Sequence, residues 1–245
     1  MKVIEVNNLC KYFGSFKAVE NISFDVEEGE IFGFLGANGA GKTTAMRMLC
    51  GLLTPTSGKG WVAGFDIYKD TEKIKRNIGY MSQKFSLYED LTTVENLELF
   101  GGIYGMSGKE IRYKTGEVVN ELGLQAEKDA LVQSLPSGVK QKVAFAVSTF
   151  HSPKIVFLDE PTGGVDPLSR RTFWEMIYRA ADRGVTSFVT THYMDEAEYC
   201  NRVSIMVDGE IRVLQSPGDM KQHFNALSME EVFFALAKQA KRSEL

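Results

Sequence analysis

The segment Gly36-Ala37-Asn38-Gly39-Ala40-Gly41-Lys42-Thr43 constrains this chain more than any other stretch. It fits the phosphate-loop pattern G-x-x-x-x-G-K-[ST] at every fixed position. It also lies between an apolar, strand-like run over residues 31–35 and a helical run that opens at Lys42. Glycines let backbone N–H groups turn inward around an anion, and the start of the helix adds partial positive charge. Lys42 can then reach the β- and γ-phosphates of a nucleotide, and the Thr43 hydroxyl can ligate Mg²⁺.

The rest of the chain supplies the sheet such a loop needs. Residues 155–158 and 186–190 are short apolar or β-branched runs, each predicted to be followed by a helix, and this alternation argues a parallel sheet covered by helices. Residues 3–6 and 22–26 read as further strands, with the Glu27-Glu28-Gly29 turn before the third. A helix is predicted over 42–53, stopped by Thr54-Pro55-Thr56-Ser57-Gly58, then an extended segment over 61–67 and a helical pattern over 87–150. Residues 203–207 and 210–214 flank Asp208-Gly209, a dipeptide suited to a two-residue hairpin turn, and 229–240 reads as a helix. No repeat or long linker divides the chain, which reads as one unit with lobes.

Two more strand ends carry chemistry, and in an open parallel sheet function gathers at the carboxyl ends of strands. The run 155–158 leads into Asp159-Glu160. Asp159 could hold Mg²⁺ through a water, and Glu160 could orient and deprotonate an attacking water. The run ending at Thr190-Thr191 leads into His192, which should sit on the same edge within reach of a γ-phosphate. Composition narrows the class further. With 28 Lys and Arg against 32 Asp and Glu, the net charge is −4, which argues against a surface that binds nucleic acid by neutralising many phosphates. No apolar stretch approaches the roughly 18 to 20 residues of a membrane helix, and an acid at Glu5 does not suit a signal peptide. A soluble, cytoplasmic chain is expected, with Cys10, Cys50 and Cys200 as reduced thiols because no CxxC pair is present.

The order of these motifs resembles the nucleotide-binding subunit of ATP-binding cassette (ABC) transporters over nearly the whole chain. The resemblance implies an α/β fold: a P-loop NTPase core with a mainly parallel sheet, an N-terminal antiparallel β subdomain and a helical subdomain. The core would span 1–86 and 151–218, the helical lobe 87–150 and a tail 219–245. It further implies that Phe13, in Lys11-Tyr12-Phe13-Gly14, stacks on adenine, and that Gly36, Asn38, Gly39, Ala40, Gly41, Lys42, Thr43 and Thr44 hold ATP. Gln83 would sense Mg²⁺ and γ-phosphate beside the metal-binding Thr43 and Asp159. Glu160 would be the general base and His192 the switch histidine, while Asp166 would communicate with a paired subunit.

One departure stands at the family signature, here Leu135-Pro136-Ser137-Gly138-Val139. Pro136 replaces the signature serine, removing a hydroxyl and a backbone N–H from a cluster expected to hold the partner's γ-phosphate. Ser137 and Gly138 remain as contacts. Similar Leu-Pro-x-Gly signatures and the ending Met229-Glu230-Glu231-Val232-Phe233-Phe234 resemble exporter subunits for drugs, lipids and polysaccharides. The expected protein is thus a MgATP-driven subunit on the inner face of the cell membrane. Its partners would be an integral membrane permease and a second nucleotide-binding subunit, the same or different, and no nucleic acid. The alternatives are a soluble ABC ATPase regulating a ribosome- or DNA-associated complex, and a P-loop kinase, for which no second substrate motif is visible.

Overall fold

The computed structural model describes residues 1–83 and 87–238; positions 239 and 240 of the expected terminal helix lie outside them. β1 (Lys2–Phe13) and β2 (Phe16–Glu27) pair antiparallel and bury Ile4, Val6, Leu9, Val19, Ile22 and Val26. Both run well beyond the predicted 3–6 and 22–26. Register shifts between Val6 and Lys11, with Asn8 and Asn21 at φ 49° and 53°, interrupt the period of two that reveals a strand. β3 (Ile31–Leu35) is buried along its whole length and leads through the phosphate loop into α1 (Lys42–Leu49).

α1 stops four residues short of the predicted 53. The Leu52 N–H donates to the Arg47 carbonyl at 2.9 Å and the Gly51 N–H to that of Met48 at 3.2 Å. With Gly51 at φ 67°, these bonds form a left-handed cap before the proline is reached. The predicted extended segment 61–67 is two strands, β4 (Ser57–Val62) and β5 (Phe65–Asp66). Ala63 and Gly64, at φ 53° and 81°, make the two-residue turn between them. These strands complete an antiparallel sheet in the order β2-β1-β4-β5.

α2 (Thr71–Asn77) precedes β6 (Ile78–Met81). Within the predicted helical stretch lie α3 (Thr93–Ile103), α4 (Gly108–Glu121) and α5 (Ser137–Thr149). Reciprocal capping bonds start the first two, Thr92 with Glu95 and Ser107 with Glu110. Leu97, Leu124, Val132, Val143 and Phe150 form the core of this lobe. α5 lies so close on β6 that a Cβ at Gly79 would fall 1.9 Å from the Ser148 carbonyl oxygen.

β7 (Ile155–Asp159), α6 (Pro167–Asp182), β8 (Thr186–Thr191), β9 (Arg202–Val207) and β10 (Glu210–Gln215) complete a six-stranded sheet. Its order is β10-β9-β3-β8-β7-β6, parallel except for β10, which turns back on β9 through Asp208-Gly209 as predicted. The helix expected after β8 is a 3₁₀ segment, Met194–Tyr199, because only the short connection 192–201 separates β8 from β9. α7 (Pro217–His223) and α8 (Met229–Ala237) end the described chain. Phe24 of the antiparallel sheet stacks on Phe32 at 5.5 Å, and Phe34, Phe157 and Phe188 fill the space between the two sheets. The fold is the α/β arrangement expected, with antiparallel and mainly parallel sheets and a helical lobe.

Candidate active site

The neighbours β3, β8, β7 and β6 are parallel, so their carboxyl ends open on one edge. Register places Leu35 beside Thr191 and Asp159 beside Thr190. The phosphate loop, His192, the Asp159-Glu160 pair and Gln83 therefore leave four adjacent strands at the same level.

Lys42 is buried, and its Nζ donates to the carbonyls of Gly36 at 2.8 Å and Ala37 at 3.1 Å. The same ammonium lies 3.3 Å from Glu160 Oε1. Burial pulls the Lys42 pKa down, and the Glu160 carboxylate opposes that fall. Asp159, buried at the end of β7, accepts hydrogen bonds on Oδ1 from the Thr43 hydroxyl at 3.1 Å and the Thr190 hydroxyl at 2.7 Å.

Glu160 adopts φ 47°, a left-handed conformation that costs a non-glycine residue about 1 kcal/mol or more. Its N–H is satisfied by the Thr190 hydroxyl at 3.0 Å, and the strained turn aims its carboxylate across the edge. There Oε2 meets Gln83 Nε2 at 3.2 Å and His192 Nδ1 at 3.1 Å. One carboxylate thus gathers the lysine, glutamine and histidine that the sequence placed on three separate segments. A carboxylate can accept a proton from water, and this one is oriented by three neighbours at the open edge of the sheet.

A cavity of about 510 Å³ opens beside this cluster, lined by Asn38, Gly39, Gly41, Lys42, Thr43, Thr44, Gln83 and Glu160, and by Phe16 and Ala18 of β2. Ala40 lies behind it: its methyl is buried and its carbonyl accepts from the Gly209 N–H at 3.0 Å, so the β9–β10 turn braces the loop. Sequence reasoning missed Phe16 and Ala18. The only local signal was the alternation of aromatics around Gly14, which puts Phe16 opposite Phe13 at the hairpin tip. Phe13 itself is 51% exposed, with Lys11 Nζ 5.1 Å from its ring centre, and is not among the lining residues. A second cavity, about 450 Å³, lies under the helical lobe around Lys114, Phe145 and Arg183 and holds none of the strand-end groups.

Ser137 and Gly138 stand apart from the cavity, at the start of α5. A Cβ on Gly138 would meet Ser169 Oγ at 2.5 Å, and that hydroxyl donates to Asp166 Oδ2 at 2.6 Å. Asp166 caps α6 by accepting from the N–H groups of Leu168 and Ser169, and the Ser169 hydroxyl, with these N–H groups adding to it, holds its carboxyl below the usual range. The structure therefore brings Gly138 together with Ser169 and Asp166, none of which lines the cavity.

The oxygen donors Thr43, Asp159 and Gln83 suit Mg²⁺ in kind. These three donors would leave the remaining positions of an octahedral Mg²⁺ shell to waters and to phosphate oxygens of a nucleotide. Cys10, Cys50 and Cys200 are free and buried, and burial raises the thiols of Cys50 and Cys200.

A family model described as ABC transporter matches residues 19–163. The probable multidrug ABC transporter ATP-binding protein YbhF of Escherichia coli (strain K12) is 48% identical over 219 residues, covering 89% of this chain and 38% of that protein. The linearmycin resistance ATP-binding protein LnrL of Bacillus subtilis (strain 168) is 35% identical over 219 residues, covering 89% of this chain and 70% of LnrL. Among solved structures, the dimeric post-hydrolysis state of the ATP-binding cassette MJ0796 bound to ADP and Pi superposes with a TM-score of 0.78 at 27% identity, covering 87% of this chain and 98% of that one. The chain thus spans well under half of YbhF and about two thirds of LnrL.

Proposed function

The chain belongs to the ABC transporter family, and on that premise we propose that it binds and hydrolyses ATP to drive a separate membrane permease, as part of an exporter. The observation that carries this reading is the Glu160 carboxylate, held at once by Lys42, Gln83 and His192 beside the phosphate loop. Glycine-loop N–H groups and the start of α1 cradle the phosphates, and Lys42 exchanges the Gly36 and Ala37 carbonyls for phosphate oxygens. That exchange loosens Lys42 from Glu160 and leaves the carboxylate to take a proton from water. The water oxygen bonds to the γ-phosphorus while the bond from that phosphorus to the β–γ bridging oxygen breaks, giving ADP and phosphate. His192 and Gln83 keep the carboxylate and the γ-phosphate aligned. Thr43, Asp159 and Gln83 would hold Mg²⁺, which would supply neutralisation of the phosphate charge.

Two such subunits pair, so that Ser137 and Gly138 at the start of one α5 face the γ-phosphate on the other's loop, with Phe13 against the adenine. The dimeric form of MJ0796 supports this arrangement. The multidrug and linearmycin-resistance names of YbhF and LnrL support export, with the chain seated on the inner face of the membrane. The test is to tag the chain in its own host, extract membranes in mild detergent and identify what co-purifies. A polytopic membrane protein is the expected result. Ribosomal proteins alone, or nothing, beside a purified chain that still hydrolyses ATP, would replace this reading with a soluble ATPase.

A further inference from the structure

Behind His192 lies a side-chain cluster that the steps above do not use. The Tyr193 ring sits 4.2 Å from the His192 ring, tilted by 35°, and its face carries the Arg170 guanidinium 4.0 Å from its centroid. Arg170 projects from α6 and is flanked by two carboxylates, Asp195 Oδ2 at 3.5 Å from Nη1 and Glu196 Oε1 at 3.7 Å from Nε. Glu196 is fully buried, and the Thr162 hydroxyl donates to its Oε1. Two polar atoms in this nest are buried without a hydrogen-bond partner, Arg170 Nε and Glu196 Oε2.

A guanidinium beside a fully buried carboxylate normally settles into a bidentate pair at hydrogen-bond distance, because the desolvation of the carboxylate otherwise outweighs their attraction. Here the pair forgoes that geometry, and the guanidinium lies flat on an aromatic ring instead. What the arrangement fixes is the place of the Tyr193 ring, and with it the His192 imidazole, which is one-third exposed and, among the described residues, otherwise bonded to Glu160 alone. The anchor also lies close in sequence to the carboxylate that His192 contacts, since Thr162 follows Glu160 by two residues.

We propose that Arg170 is a positioning residue for the His192–Glu160 contact, acting through the stacked Tyr193 ring and anchored by the buried Glu196–Thr162 pair. The proposal rests on the ATPase reading, of which it names a further part. It predicts a loss of turnover without loss of nucleotide binding, since none of these residues lines the phosphate cavity.

The test compares steady-state ATPase rates and thermal unfolding of the full chain with those of four variants. Tyr193→Leu leaves the Arg170–Glu196 pair in place but removes the ring; kcat is expected to fall about tenfold with KM changed by less than about twofold. Tyr193→Phe restores the ring and should restore kcat. Arg170→Ala combined with Glu196→Gln removes the buried carboxylate charge together with the guanidinium beside it, so it should unfold near the wild-type temperature yet keep the low kcat. Arg171→Ala, an exposed neighbour on the same helix, is the control for helix propensity. Wild-type kcat in Tyr193→Leu, or in the folded double variant, overturns the proposal. Should the double variant unfold, Tyr193→Leu decides alone. A wild-type chain that hydrolyses no ATP even beside its permease brings down the ATPase reading and this inference together, whereas an active wild type with unaffected variants removes only the inference.

Discussion

Two glycines of the phosphate loop separate binding from folding. Gly39 has φ 81° and nothing within 4 Å of where a Cβ would stand, so Gly39→Ala costs only the left-handed strain, about 1 kcal/mol. Its methyl would project into the space a phosphate needs. Gly41 has φ 108°, and a Cβ there would fall 2.4 Å from the Ala18 carbonyl oxygen and 2.9 Å from Met206 Cε. Strand β2 cannot yield without disturbing the core, so Gly41→Ala should cost about 3 kcal/mol or more. The measurement is thermal unfolding with and without MgATP. Wild type should gain stability from bound nucleotide. Gly39→Ala should unfold nearly as the ligand-free wild type and gain nothing from MgATP, whereas Gly41→Ala should already be destabilised without it. Equal nucleotide-dependent gains in wild type and Gly39→Ala would show that the loop backbone does not hold the phosphates. At this scale the sequence was legible wherever a residue followed a strand end by fixed spacing: Lys42, Thr43, Asp159, Glu160 and His192. Phe16 and Ala18 were not legible, because their place beside the loop is set by how the antiparallel sheet docks on the parallel one.

Among the elements, the joint between α5 and the sheet carries a titratable pin. His151 follows α5, hydrogen-bonds through Nε2 to the Ile78 carbonyl at 3.0 Å and stacks on Tyr104 with ring centres 3.5 Å apart. Its Nδ1 is buried without a partner, so a proton there would find no acceptor, and burial lowers the pKa to about 4. The folded state thus favours the neutral ring, while the unfolded chain takes up a proton near the ordinary value of 6.5. Stability from this site is complete above 6.5 and is lost as pH falls through the window down to about 4. The full shift corresponds to about 3 kcal/mol, cut to about half by the part of the ring that water reaches. His151→Phe keeps the stack and removes the titration. Denaturant unfolding at several pH values should therefore give a flatter stability profile for the variant between pH 6.5 and 4, and parallel profiles would dispose of the assignment. Elements were legible in proportion to how continuous their burial is: β3, β7 and β8 are buried throughout and matched their apolar runs. The bulged β1 and β2, and the 3₁₀ segment after β8, follow from twist and connection length, which residue periodicity does not encode.

For the whole molecule the decisive feature is that Ser137 and Gly138 are not among the residues that line the phosphate-loop cavity of their own chain. The start of α5 is open: Pro136 offers no side-chain cap, and its carbonyl takes the N–H groups of Val139 and Lys140, leaving those of Ser137 and Gly138 for an anion. That these residues serve the partner's nucleotide was implied by the resemblance alone; the residues of α5 themselves gave only an amphipathic helix with an open N-terminus. In the paired arrangement, Glu160→Gln should retain ATP and persist as a dimer by light scattering at millimolar MgATP, since the proton acceptor is gone while the phosphate contacts remain. Ser137→Asp in that background sets two effects of one charge against each other. An acid in the first turn of α5 complements the helix dipole and should leave stability unchanged or raise it by about 0.5 kcal/mol. The same charge would repel a γ-phosphate held across the interface. The double variant should therefore fold, bind one ATP per chain on its own phosphate loop and stay monomeric. If it dimerises as Glu160→Gln does, the start of α5 does not face the partner's nucleotide, and the composite site must be built from another surface of this chain.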